Sequence, residues 1–110
     1  MKPEYQIVTT TIGNTSQAVD LAKWLVEARL ARCVQIVPGV RSIYHWDDEI
    51  CDDDECLLII KTLTDNLEEL MKQLSDRHPY DVPEILAVPV SAGYEPYLKW
   101  LDEWQPDNSQ

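Results

Sequence analysis

The chain lacks long apolar runs. No aliphatic stretch exceeds the length of Leu57–Ile60, far short of the ~20 residues a membrane helix needs. The N-terminus, Met1-Lys2-Pro3-Glu4, has no apolar segment leading to a small-residue cleavage site, so a cytoplasmic address is expected. Basic side chains are scarce, nine against twenty acidic, for a formal net charge of −11. Binding a polyanion normally needs a basic face, so nucleic acid and anionic membrane surfaces are not expected partners. Cysteine is sparse and odd in number: Cys33, Cys51 and Cys56, with no C-x-x-C. That excludes a disulfide framework and a structural zinc site, and leaves reduced thiols. There are only two histidines, His45 and His78, and no nucleophile elbow, phosphate loop or H-E-x-x-H. A glycine-rich anion loop after the first strand is absent too: Thr10-Thr11-Ile12-Gly13-Asn14-Thr15 carries no arginine to hold a phosphate. An enzyme is therefore not expected, and acyl-phosphate hydrolysis in particular is disfavoured.

What is present is one domain, residues 1–110, with 45% hydrophobic and 26% charged residues, a globular composition. Tyr5–Thr11 is rich in β-branched residues and reads as a strand. Turn chemistry at Gly13–Thr15 leads to Ser16, a candidate N-cap, and Ala18, Leu21, Ala22, Leu25 and Ala28 then fall at helical spacing, predicting a helix over 16–30. Cys33–Val37 begins a second strand. Pro38-Gly39 fits a bulge, and extended residues resume from Val40 to Trp46. Asp47-Asp48-Glu49 makes a tight turn, and a third strand ends at Cys56–Thr62, giving a hairpin whose arms approach a dozen residues. Asp65 with Glu68 resembles a capping box. Leu67, Leu70, Met71 and Leu74 form an apolar stripe, and Pro79 stops that helix near His78. Glu84–Val90 reads as a fourth strand. Tyr97, Trp100, Leu101 and Trp104 recur at helical spacing after Pro96, and 105–110 is a polar tail beyond an ordered core of about 4–104.

The order β-α-β-β-α-β-α predicts an α+β fold: a ferredoxin-like βαββαβ sandwich with an extended second hairpin and a C-terminal helix. So short a chain leaves much of its surface uncovered when alone, and the sheet face away from the helices needs cover. Closed cyclic association through the hairpin is the expected solution.

Several motifs carry a resemblance. Arg32–Val40 with Ser42–Trp46, Leu57–Thr62, His78-Pro79-Tyr80-Asp81-Val82-Pro83-Glu84-Ile85, and Tyr97–Leu101 occur in series and together resemble the CutA family of divalent-cation tolerance proteins from about Gln6 to Trp104. The resemblance implies a homotrimer formed through the long hairpin, with Tyr44 and Trp46 in its interface, a shape similar to PII signalling proteins, and a role in tolerance of copper and other divalent cations. Copper-binding members use a cysteine late in the first strand and two adjacent histidines before Pro-Tyr. Those places here are Thr10, Arg77 and His78, so His78 alone is kept as a metal-ligand candidate; arginine stays protonated and cannot ligate. The usual glycine after Trp46 is replaced by Asp48. The alternative reading is a PII-like regulatory module that binds a small molecule or protein at inter-subunit clefts, with metal incidental.

Each candidate has a plainer role beside it. His78 can serve copper(II) or another divalent cation, or cap the carbonyls of a helix C-terminus. Cys33 can be a soft ligand or a small apolar filler. Cys51 and Cys56, five apart, fall on opposite strand faces and do not share a metal. Seven of the nine residues from Asp47 to Glu55 are acidic. They lack the spacing of an EF-hand loop and read as a solvated turn and edge. Tyr80, Glu84 and Lys61 line a cleft in one reading; Glu84 and Lys61 form a salt bridge in the other. Tyr97, Trp100 and Trp104 read as a packing stripe.

Overall fold

A computed structural model describes residues 4–103; Trp104 and the tail lie outside the described residues. Its elements are β1 (Tyr5–Ile12), α1 (Thr15–Glu27), β2 (Cys33–Trp46), β3 (Glu49–Leu63), a 3-10 turn (Thr64–Asn66), α2 (Leu67–Arg77), β4 (Leu86–Pro89) and α3 (Glu95–Asp102). The four strands form one antiparallel sheet in the order β2-β3-β1-β4. The expected α+β element order and long hairpin are both present, with arms of 14 and 15 residues.

Alternation along the strands divides the sheet cleanly. Val8 and Ile12 of β1, Cys56, Leu58 and Ile60 of β3, and Val34 and Ile36 of β2 pack with Leu21, Leu25, Leu70 and Leu74 of α1 and α2 in the core. The intervening positions, Ile7 and Thr9 of β1, Leu57, Ile59 and Lys61 of β3, Cys33, Gln35 and Val37 of β2, and Leu86 and Val88 of β4, share the opposite face by register. α3 covers one end of that second face. The Arg32 guanidinium lies 4.0 Å above the Trp100 ring and donates to the Trp100 carbonyl at 2.7 Å. Lys61 Nζ sits 5.7 Å from the Tyr97 ring centre. Tyr97 and Trp100 stack on each other at 5.7 Å, while Leu101 is the residue that α3 buries.

Local chemistry moves the bounds of three elements from the sequence expectation. α1 is capped by Asn14, whose side chain accepts from the Gln17 N–H at 2.8 Å, and Ser16 lies inside the helix. α1 also stops at Glu27 rather than 30. Arg29 takes the left-handed conformation (φ 59°), and the Arg29 and Leu30 amides donate to Val26 and Leu25, a Schellman closure without its usual glycine. α2 begins after a 3-10 turn in place of a capping box at Asp65. The Thr64 amide donates to Glu4 and its hydroxyl accepts from Gln6, which fixes the turn to β1 instead. β4 is shorter than Glu84–Val90, because Glu84 and Ile85 belong to the approach loop.

The hairpin carries two special backbone sites. The β2–β3 register shifts between Val37 and Val40, where Gly39 has φ 73°. β2 therefore holds one extra residue there, and glycine takes the positive φ without a Cβ clash. At the tip, Asp47 and Asp48 both have positive φ, 55° and 63°. That is the signature of a two-residue hairpin loop whose twist matches its strands.

Candidate functional site

The HPY corner follows α2. Pro79 forces its predecessor out of helical geometry, and His78 accordingly has ψ 137°. This turns the imidazole inward, where it is 7% exposed. Nδ1 accepts from the Tyr80 N–H at 3.2 Å, which leaves the proton on Nε2; Nε2 donates to the Thr11 carbonyl at 2.8 Å. The His78 and Tyr80 rings meet at 4.7 Å, tilted by 58°. The Tyr80 hydroxyl continues to Glu55 Oε2 at 2.7 Å. One short segment thus braces the end of β1 to the base of the hairpin. Burial, reinforced by the bond to Glu55, pushes the Tyr80 phenol well above its ordinary range.

Thr10, Arg77 and His78, the places where the resemblance led one to look for copper ligands, do not converge as a donor set. His78 uses both ring nitrogens within the chain. The Thr10 side chain is fully buried on the helical side of β1, and its hydroxyl has no hydrogen-bond partner. The Arg77 guanidinium stacks 3.9 Å over the Trp24 ring. Among the described residues, no three His, Cys, Asp or Glu side chains of one chain gather as a metal site.

Lys61, Glu84 and Tyr80 all reach toward the second face but do not form one constellation. Glu84 Oε2 accepts from the Thr9 hydroxyl at 3.1 Å, Lys61 lies at the α3 end beside Tyr97, and Tyr80 reaches Glu55 at the far end. Sequence spacing missed Glu55 and Thr9 as partners. The signal was there in alternation, since both fall on the face away from the helices.

Beyond the bulge, register puts Val40, Ser42, Tyr44 and Trp46 on the same side as Glu49, Cys51, Asp53 and Glu55. Tyr44 and Trp46 are 41% and 58% exposed, and Ile43, Ile50, Leu86 and Val88 are all more than half exposed. The Tyr44 hydroxyl bonds to Asp53, which pushes the phenol up to about 12. On the other side Arg41 grips Asp52 through two bonds of 2.8 and 2.7 Å and holds that carboxyl below its ordinary value. The pair is solvent-exposed and adds little to stability. The expected separation of the other two thiols holds: Cys51 pairs with Tyr44 across the hairpin, whereas Cys56 is buried beneath α1. Cys33 is half-buried under α3, and burial together with this thiol raises the Tyr97 phenol.

Comparison with known proteins adds a lineage to this geometry. The family model described as CutA1 divalent ion tolerance protein matches residues 6–104. A divalent-cation tolerance protein CutA from Thermus thermophilus is 46% identical over 98 residues, 89% of this chain and 95% of the relative. A chloroplastic CutA protein of Arabidopsis thaliana is 43% identical over 95 residues, 86% of this chain and about half (52%) of the plant protein. The crystal structure of CutA1 from Shewanella sp. SIB1 superposes with a TM-score of 0.92 at 40% identity, covering 97% of this chain and 100% of that one.

Proposed function

The chain belongs to the CutA1 family of divalent ion tolerance proteins, and from that membership we propose that it works as a homotrimer that binds divalent cations, copper(II) foremost, between its subunits. The observation that carries this reading is the uncovered apolar side of the sheet and hairpin. Val37, Tyr44, Trp46, Leu86 and Val88 share it and are each 40–60% exposed. A contiguous apolar surface of this kind is a partner surface, and the outer edge of β2 offers an unpaired ladder beside it. Three copies closing on one another cover that surface without leaving a free edge.

Assembly also supplies what one chain lacks for cation binding. Glu49, Asp53 and Glu55 lie on the same side as Tyr44 and Trp46, so closing the interface gathers carboxylates from several subunits, and oxygen ligands suit hard and borderline cations. His78 would offer a ring nitrogen only if it released one of its two bonds. The role is one of binding rather than catalysis, in a reducing compartment such as the cytoplasm, where the three free thiols persist. A second reading, a PII-like module that takes a small molecule at the inter-subunit clefts, is supported by Glu84 and Tyr80, whose polar ends border the uncovered face.

Sedimentation tests the assembly and calorimetry the cation. Wild type is expected at three times the 12.7 kDa chain mass, and Trp46→Asp is expected to dissociate at concentrations at least tenfold higher. Copper(II) binding should fall with the dissociated variant. A monomeric wild type at micromolar concentration overturns the trimer. Equal copper affinity in the dissociated variant overturns the inter-subunit site.

A further inference from the structure

The helical layer carries a groove that lies on the opposite side of the sheet from the uncovered apolar face. It encloses about 240 Å³, and its floor is Ile12 and Leu21, both buried core side chains. One wall is the Trp24 indole with the Arg77 guanidinium stacked on it at 3.9 Å. Asp20 and Gln17 stand on the rim; along α1 Asp20 lies within about one turn of both Leu21 and Trp24, and Gln17 about one turn before Leu21. The guanidinium is held over the ring, and its fork of N–H donors is the group that grips a carboxylate with two parallel bonds.

We propose that this groove binds a small aliphatic α-amino acid, with its carboxylate on Arg77, its ammonium on Asp20 and its side chain on Ile12, Leu21 and the Trp24 ring. The size argues for such a molecule, because the space is smaller than the ~300–1,000 Å³ that drug-sized ligands occupy. Charge argues for a zwitterion. A chain of net charge −11 repels simple anions, so a carboxylate gains most when it brings its own cation to the one acidic rim residue. An apolar ammonium without the carboxylate would leave Arg77 unused. The groove is built within one chain and stays open when the sheet face is covered, so it is distinct from the inter-subunit clefts.

The test is a titration of the full-length protein with leucine, followed by NMR of the Trp24 indole N–H, with Trp24→Phe identifying that resonance. Leucine should shift it saturably. 4-Methylpentanoate, which lacks the ammonium, and 3-methylbutylamine, which lacks the carboxylate, should each bind at least tenfold more weakly. Arg77→Gln and Asp20→Asn should each weaken leucine about tenfold, the equivalent of one charge-assisted bond. The inference is overturned if leucine produces no saturable shift, if either analogue binds as well as leucine, or if both surface variants bind it as wild type does. All of these readouts are independent of copper and of the oligomeric state.

Discussion

His78 donates from Nε2 to the Thr11 carbonyl at 2.8 Å across 67 positions of sequence, and its other ring nitrogen receives the Tyr80 amide. The segment that looks most like a ligand motif in the sequence is a mechanical joint in the fold. It fastens the chain leaving α2 to β1, while its neighbour Tyr80 fastens to Glu55 in β3.

Removing the joint should therefore cost stability in the metal-free protein. His78→Ala leaves a buried carbonyl and a backbone amide without partners and opens a cavity. A loss of about 2–4 kcal/mol is expected in urea unfolding, measured at fixed protein concentration. A loss below about 0.5 kcal/mol would show that the imidazole holds nothing together.

Thr10→Val has the opposite expectation. The hydroxyl is fully buried without a partner, and replacing it by a methyl of the same shape removes the desolvation penalty of an orphaned polar group. Stabilisation by about 1 kcal/mol is expected, read as a Tm several degrees higher in calorimetry.

Asp48→Gly should also stabilise. Asp48 sits at φ 63°, a region that costs most L-residues roughly 1–2 kcal/mol, although aspartate less. Glycine removes that cost and gives back part of the gain through unfolded-chain entropy of ~0.5–1 kcal/mol. The net expectation is a gain of up to about 1 kcal/mol in urea unfolding, and a loss would show that the Asp48 side chain makes a compensating contact.

The Tyr44 phenol gives a pH prediction. Its bond to Asp53 raises it from 10.0 to about 12, so the folded chain favours the protonated form. Whatever this pair contributes is complete below pH 10 and is lost as pH rises toward 12. In an alkaline titration followed by phenolate absorbance, Tyr44→Phe should remove one late-ionising group. An unchanged late phase would exclude the Tyr44–Asp53 bond in solution.

Periodicity made most of the fold legible. The β-branched run of β1, the stripe of α2, the stop at Pro79 and the kink at Pro38-Gly39 all appear where local chemistry places them. The misplaced helix ends have specific causes. Arg29 closes α1 in a conformation that usually announces itself as glycine, and Thr64 is held by Gln6 and Glu4, which lie some sixty residues earlier. The candidate site was less legible for the same reason. His78, Tyr80 and Glu84 could be singled out as residue types, but their partners Thr11, Glu55 and Thr9 come from other strands, and only tertiary register decides who meets whom.

The extra residue at Pro38-Gly39 acts as a frame shift in β2. β3 presents its odd-numbered side chains to the uncovered side along its whole length, whereas β2 changes from Cys33, Gln35 and Val37 to Val40, Ser42, Tyr44 and Trp46. The hairpin's outward identity is thus set by a count of residues, not by the chemistry of its arms. With Pro38 and Gly39 both paired regularly and no bulge between them, Tyr44 and Trp46 would swing to the far side and Ile43 and His45 would come around in their place.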